Sequence, residues 1–283
     1  MKLEKEVMNM KKLFALLLTL AMVLSLAACG GGDTAPADDA ENTDGDTVTD
    51  TALTTAVEGV LSMATEATFP PYEYYDGDEL VGIDVEVAAA IADKLGLEFQ
   101  VTDIAFDSII PGVQTGKFDI GMAGMTVTPE RLEEVDFTAS YAKGVQVVIV
   151  KDGSPITSVD DLFAEGASNT IGTQTGTTGF LYATWDIEDE GLGTVKAFAK
   201  TTDAVEALKN GQVDCVILDN EPAKALVAAN EGLSILDSSY ADEDYAIAVS
   251  KDNEALLEAI DGALNELIAD GTLQTIVDKY IAG

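Results

Sequence analysis

Few side chains in this sequence can do covalent or acid–base chemistry, and the missing ones narrow the field first. Histidine does not occur, which excludes a Ser–His–Asp triad, a Cys–His pair and histidine-ligated zinc. Two cysteines are present, Cys29 and Cys215. An even count suggests one disulfide, but their contexts do not. Cys215 lies in Val213-Asp214-Cys215-Val216-Ile217-Leu218, an apolar strand pattern in which a thiol reads as core filling. What remains is chemistry of charge. Arg131 stands at the start of a helical segment, where the dipole does not favour a cation. It needs a reason, and a surface pair with Glu130, Glu133 or Glu134 is one. Asp219 closes an apolar strand and could cap the helical segment that starts at Pro222.

The background to these residues is acidic. Fifteen lysines and arginines face 51 acidic residues, for a formal charge of −36. Such a field repels phosphate backbones and anionic surfaces, so nucleic-acid binding is excluded as a function class. It fixes neither fold nor ligand, and solubility in a salty or acidic habitat explains it equally well. Apolar residues make up 47% of the sequence, so a packed body is expected. A chain of this length can bury two cores.

The N-terminal region reads as an address. Lys2, Lys5, Lys11 and Lys12 precede an almost unbroken apolar run from Leu13 to Leu26. That run is short for a membrane span and has the length of a signal-peptide core, which gives a signal peptide over residues 1–28. It ends in Leu26-Ala27-Ala28-Cys29-Gly30, which resembles the lipobox of bacterial lipoproteins, in which the signal is cut before the cysteine and the thiol receives a lipid. The alternative is an ordinary secreted protein with a chance cysteine at the cut. Residues 29–57 are rich in Gly, Asp, Thr and Ala and cannot bury enough apolar surface to order themselves. They read as a lipidated flexible tether to a membrane.

The body must position whatever Arg131 and Asp219 do, and it alternates strand and helix. Val60–Ala64 is a strand. Asp84–Leu95 is a helix with Val85, Ala88, Ile91, Ala92 and Leu95 on one face and Gly96 as its stop. Phe99–Thr102 is a strand, Asp107–Thr115 a helix capped by Asp107, and Phe118–Gly121 a strand. A second series runs from Val145–Val150 through Thr170–Gly172, Thr177–Trp185, Val195–Phe198, Asp203–Asn210, Val213–Leu218, Pro222–Asn230 and Leu233–Leu236. Tyr245–Val249 reads as one strand, followed by helices from Asn253 to about Ala269 and from Thr272 to Ile281. Two such series predict two parallel α/β sheets. Ligands settle in such folds where helix N-termini and strand C-ends converge.

The segment Gly82-Ile83-Asp84-Val85-Glu86-Val87 resembles the signature of the polar amino-acid family of bacterial extracellular solute-binding proteins, family 3. Ala64 to Tyr74, Phe106 to Pro111, Gly124 to Arg131, Asp136-Phe137-Thr138, Gly176 to Gly179 and Val213 to Asp219 resemble further family segments in the family's order. The resemblance covers Leu61 to Ile281. It implies a type II periplasmic-binding-protein fold, with lobe 1 over residues 58–141 plus 245–283 and lobe 2 over residues 146–240. The two crossovers, near Tyr141–Val145 and Ala241–Tyr245, would form a two-segment hinge.

Family resemblance also implies roles. Arg131 matches the arginine that binds a ligand carboxylate, for which a planar fork suits better than lysine. Asp219 matches the ammonium-binding aspartate. Gly124 and Thr126 match positions that offer backbone and hydroxyl groups to the same two charges, and Thr178 would aim its N–H at the carboxylate. Phe69 and Phe106 match aromatic walls, although either alone could be core. Glu66 either favours a cationic or amide side chain, with help from Gln174, or is a rim carboxylate without selective role. Tyr72, Trp185 and Tyr245 read as packing. The implied function is a monomeric, non-catalytic receptor for a free L-amino acid, polar or cationic side chains favoured. It would be anchored through Cys29 and deliver its ligand to ABC permease subunits, with no cofactor and no metal. A solute sensor and a dehydratase-like enzyme on the same fold are the alternatives.

Overall fold

The computed structural model describes residues 53–281. The expected signal peptide, Cys29 and the tether up to residue 52 lie outside the described residues.

The body opens with β1 (Val60–Thr65), the short strands β2 (Thr68–Phe69), β3 (Glu73–Asp76) and β4 (Glu79–Val81), helix α1 (Ile83–Leu95) and β5 (Glu98–Asp103). A 3₁₀ turn (Phe106–Ser108) leads to α2 (Ile109–Gln114), β6 (Ile120–Gly121), α3 (Pro129–Glu134) and β7 (Asp136–Phe137). The long strand β8 (Ala142–Lys151) carries the chain into a second lobe of β9 (Asn169–Gln174), α4 (Thr178–Ala183), β10 (Gly193–Phe198), α5 (Thr201–Lys209), β11 (Cys215–Asp219), α6 (Asn220–Ala229) and β12 (Leu233–Ile235). Strand β13 (Ala241–Tyr245) brings it back to β14 (Ala248–Val249), α7 (Glu254–Ala269) and α8 (Thr272–Tyr280) on the first lobe.

Each lobe has its own sheet. The first runs β5-β1-β6-β14-β7 and the second β10-β9-β11-β8-β12, with β13 also on β8. Strands joined through helices are parallel, as β1 is to β5 and β6 and β9 is to β10 and β11. The expectation of wholly parallel sheets fails at β8, β12, β13 and β14, which pair antiparallel. β8, β13 and β14 belong to segments that enter or leave a lobe by crossing between sheets, and β12 is antiparallel because the strand beside it is β8. They escape the right-handed strand–helix–strand rule that keeps the others parallel.

The two crossovers pair with each other. β13 lies antiparallel on β8 from Ala241 opposite Gln146 to Tyr245 opposite Ala142. The two segments expected to form the hinge therefore make a hydrogen-bonded ribbon. The single strand expected at Tyr245–Val249 divides accordingly: Tyr245 ends β13 on the second sheet, while Ala248–Val249 pairs in the first. All five residues are buried, so apolar pattern alone runs them together.

Helix α1 shows how sequence selects element and face. Val85, Ala88, Ile91 and Ala92 are buried on one side, and Gly96, at φ 67°, closes the helix with its N–H on Ala92 and Asp93 carbonyls. Only glycine takes that left-handed cap cheaply. The expected Asp107 cap is not formed. The chain enters α2 through the 3₁₀ turn that starts at Phe106, so Asp107 lies within that turn and Ser108 precedes the helix without a side-chain bond. In the second lobe both sheet faces are covered. Val147 and Ile149 of β8 pack with Val205 and Leu208, whereas Val148 and Val150 pack with Leu162 and Ile171. A strand buried on both faces reads as a continuous apolar run, and Cys215 sits in that core with its thiol pushed up to about 12, chiefly by burial.

Of the expected tether, residues 53–57 are described, and they lie against the first lobe. The Ala56 N–H donates to Asp119 Oδ1 at 2.6 Å and Asn253 Nδ2 to the Thr54 carbonyl at 2.9 Å, while Leu53 packs on the core.

Candidate functional site

The strand ends of both lobes converge on one cavity, the kind of place where such folds hold small molecules. From the first lobe come Glu66 and Phe69 after β1, Phe106 in the 3₁₀ turn, Gly124 and Thr126 after β6, and Arg131 on α3. From the second come Gln174 at the end of β9, Thr178 opening α4, and Asp219 ending β11. The structure thus brings every candidate residue of the body to the same cavity.

Arg131 is buried, with 6% of its surface exposed. Thr128 caps its helix by accepting the Arg131 N–H at 3.2 Å, and Pro129 fits the first helical turn. The guanidinium donates from Nη1 to the Thr126 carbonyl at 2.7 Å and from Nη2 to the Gly176 carbonyl at 3.1 Å. The second bond spans the lobes. The Phe106 ring lies 5.4 Å from the guanidinium carbon, close enough for a cation–π contact. No carboxylate of the described residues forms an ion pair with it. The surface pair with Glu130, Glu133 or Glu134 is therefore not made. Burial pulls the guanidinium's affinity for its proton down, and the negative charges of Glu243 and Asp219 oppose that. A buried cation without an adjoining anion is costly, and a ligand carboxylate would relieve that cost.

Asp219 lies in the other lobe and is equally buried. It accepts a hydrogen bond from the Tyr245 hydroxyl. Its carboxyl is held well above the ordinary range, first by burial and then by the charge of Glu243, while hydrogen bonds from Tyr245 and Gln146 pull it down. It precedes α6 but makes no side-chain cap there, so the capping reading fails. Tyr245 does pack, edge-on against Tyr72 with centroids 5.3 Å apart, yet it also touches the charge chemistry.

One end of the cavity is amide and carboxylate. Thr201 Oγ1 donates to Gln174 Oε1 at 2.8 Å and Gln174 Nε2 to the Ala199 carbonyl at 3.2 Å, which fixes the amide. Glu66 accepts from Thr68 Oγ1 at 2.8 Å. Burial raises the Glu66 carboxyl, against the lowering effect of hydrogen bonds from Thr68 and Gln174. Phe69 forms a wall directly over Gly124, where an added Cβ would lie 2.5 Å from the ring, at φ +52°. Only a residue without a side chain lets the ring and loop approach so closely.

Three polar groups of the cavity, Thr177, Thr201 and Glu73, escaped sequence reasoning as site residues. Thr201 lies just upstream of the residue at which the helix seemed to start, Asp203; a start signal drawn two residues earlier would have found it. Glu73 lines the cavity with no exposed surface, and neither carboxylate oxygen has a donor among the described residues. It meets Asp84, whose Oδ2 accepts from the Gly124 N–H at 2.9 Å and the Tyr141 hydroxyl at 2.8 Å. Burial and the Asp84 charge push the Glu73 carboxyl well up, and burial raises Asp84 to about 6. A protonated Glu73 can donate to Asp84, which satisfies one of its two oxygens. Among the described residues no cluster of His, Cys, Asp or Glu is placed to hold a metal ion.

A family model described as bacterial extracellular solute-binding proteins, family 3, matches residues 61–283. The chain belongs to that family. Its members are extracytoplasmic binding proteins, and this family-3 protein has the expected type II periplasmic-binding fold of two α/β lobes. The "Arginine-binding extracellular protein ArtP" of Bacillus subtilis (strain 168) is 30% identical over 277 residues, which is 97% of this chain and 99% of the relative. A solved "ancestral arginine-binding protein bound to arginine" is 38% identical, with a TM-score of 0.74, covering 80% of this chain and 99% of that one. An "ancestral arginine-binding protein bound to glutamine" is 39% identical with a TM-score of 0.73, covering 80% and 100%.

Proposed function

We propose that this family-3 protein captures a free L-amino acid with a cationic or amide side chain and delivers it to the permease subunits of an ABC importer. The observation that carries the reading is Arg131, buried and with no carboxylate of the described residues paired to it, facing a cavity whose other lobe supplies the buried Asp219. A zwitterion satisfies both: carboxylate on Arg131 in the first lobe, ammonium on Asp219 in the second. The ligand's own charges then bridge the lobes, and binding favours the closed arrangement about the β8–β13 ribbon. Each charge-assisted bond contributes about 1.5–3 kcal/mol net. Several of them, less ordering costs, reach the roughly −8 kcal/mol of micromolar affinity.

Side-chain preference rests on Glu66 and Gln174. A ligand guanidinium or amide can donate to the Glu66 carboxylate, and a cation there would restore its ionisation against burial. The arginine- and glutamine-bound relatives support that choice. Lipidation at Cys29, within Leu26-Ala27-Ala28-Cys29-Gly30, would hold the monomer near its transporter. Cell fractionation tests the anchor, because Cys29→Ala should move the protein from membrane to soluble fraction.

The test is a thermal-shift panel of the twenty common amino acids with ornithine, citrulline and cystine. A true ligand at about 100 times its Kd adds roughly 2.7 kcal/mol. Success for arginine, lysine or glutamine supports the reading; success for apolar amino acids alone overturns the role of Glu66. A second reading, a dehydratase-like enzyme, draws on the raised Glu66 carboxyl, a property suited to a general acid. An NMR time course separates the two: a receptor returns its ligand unchanged.

A further inference from the structure

Strand β13 presents Glu243 and Tyr245 inward while Asp242 and Asp244 face outward. It pairs with β8, so both inward side chains stand on the hinge ribbon itself. Gly144 sits opposite Glu243 in that ribbon. A Cβ on Gly144 would lie 2.4 Å from the Tyr245 ring and from its hydroxyl oxygen. Gly144 therefore opens a slot in which the Tyr245 ring lies flat across the ribbon. Tyr72 packs edge-on against the same ring. The slot aims the hydroxyl at one atom, Asp219 Oδ1.

We propose that Tyr245 is a positioning residue that acts through Asp219, its hydroxyl locking the cavity carboxylate to the hinge ribbon so that ligand charge and lobe closure are felt by one hydrogen bond. The inference rests on Asp219 as the ammonium acceptor for its consequence in binding, but not for the bond itself. The charged and titratable groups about Asp219 are Glu243 on β13, Arg131 on α3, Tyr182 on α4 and Tyr72 and Glu73 around β3. Glu243 repels the ionised carboxylate, and Gln146 on β8 donates to Glu243 Oε2 at 3.0 Å. Tyr245 is the hydroxyl donor that the structure gives Asp219. Burial and the Asp219 charge keep that hydroxyl protonated and therefore able to donate. Removing it leaves the carboxylate facing burial and Glu243 with less support.

The experiment compares wild type, Tyr245→Phe and Gly144→Ala. The first variant keeps the ring and deletes the donor; the second keeps the donor and crowds it out of its slot. Titration of the Asp219 carboxyl carbon by NMR, without added amino acid, should move upward by about one pH unit or more in Tyr245→Phe, as expected for loss of a charge-assisted bond. Calorimetry with L-arginine should then show a Kd raised about tenfold at pH near 6, with the penalty shrinking toward pH near 8.5, and Gly144→Ala should follow the same profile. An unchanged Asp219 titration overturns the proposal. So does a penalty that is uniform across pH, which is what loss of packing alone would give. If the titration moves while wild type binds no amino acid, the positioning role stands and the amino-acid reading fails.

Discussion

Truncating Arg131 is the sharpest perturbation, because its hydrogen-bond inventory can be counted. A guanidinium carries five N–H donors; the Thr126 and Gly176 carbonyls each take one. The remaining donors suffice for a two-bond grip on a carboxylate. At about 1.5–3 kcal/mol for each charge-assisted bond, that grip is worth roughly 3–6 kcal/mol. At 1.4 kcal/mol per decade, Arg131→Ala should raise Kd by about 10²–10⁴. Arg131→Lys keeps the charge but loses the fork and the Phe106 stacking, and should cost about 10–100-fold. Isothermal calorimetry with L-arginine at neutral pH reads both, and the unliganded melting temperature reports whether either variant is folded. A folded Arg131→Ala protein that binds within tenfold of wild type would refute the clamp.

Glu66→Gln should weaken L-arginine by about tenfold or more while changing L-glutamine far less, read as the ratio of the two Kd values; an unchanged ratio removes Glu66 from selectivity. Gly124→Ala puts a Cβ into the Phe69 ring at a left-handed backbone position. It should destabilise by about 1–3 kcal/mol in denaturant titration and weaken binding, because the ring that must move is a cavity wall. The pH profile follows from carboxyls raised in the folded state. Asp84, at about 6, and Glu73 hold protons that the unfolded chain has already released. Stability should therefore fall as pH rises from about 4 through 6, and go on falling above it as Asp219, at about 8, and Glu73 give up their protons. Asp84→Asn should flatten that fall, since its oxygen still accepts from Gly124 and Tyr141. A wild-type melting temperature that rises from about pH 4.5 to 7.5 contradicts this linkage.

How much of this was legible in the sequence depends on what each residue's neighbours could reveal. Helix α1 was readable because Val85, Ala88, Ile91 and Ala92 repeat at helical spacing and Gly96 ends them. The division between β13 and β14 was not, since Tyr245 to Val249 are all buried and the break is set by which lobe each end joins. Likewise, hydropathy cannot show that β8 and β13 pair over their crossing segments. At the site, Arg131, Asp219, Glu66 and their companions stood out through motif order, and the fold gathers them around one cavity. Glu73 hid at the head of Glu73-Tyr74-Tyr75-Asp76, whose last two residues are exposed, yet it is buried in the cavity lining beside Asp84 of α1. Tyr245 read as packing because its partners, Asp219 and Gly144, are remote in sequence. Contacts of that kind are set by tertiary structure alone.

The central claim is that a buried arginine and a buried aspartate, one on each lobe, clamp the two charges of a free amino acid. Calorimetric titration with L-arginine and with agmatine, which keeps the amine and guanidinium but lacks the carboxylate, tests it most directly. L-arginine should bind and agmatine should be weaker by at least about 10², the loss expected when Arg131 is left without its anion. Equal affinity for the two would contradict the clamp.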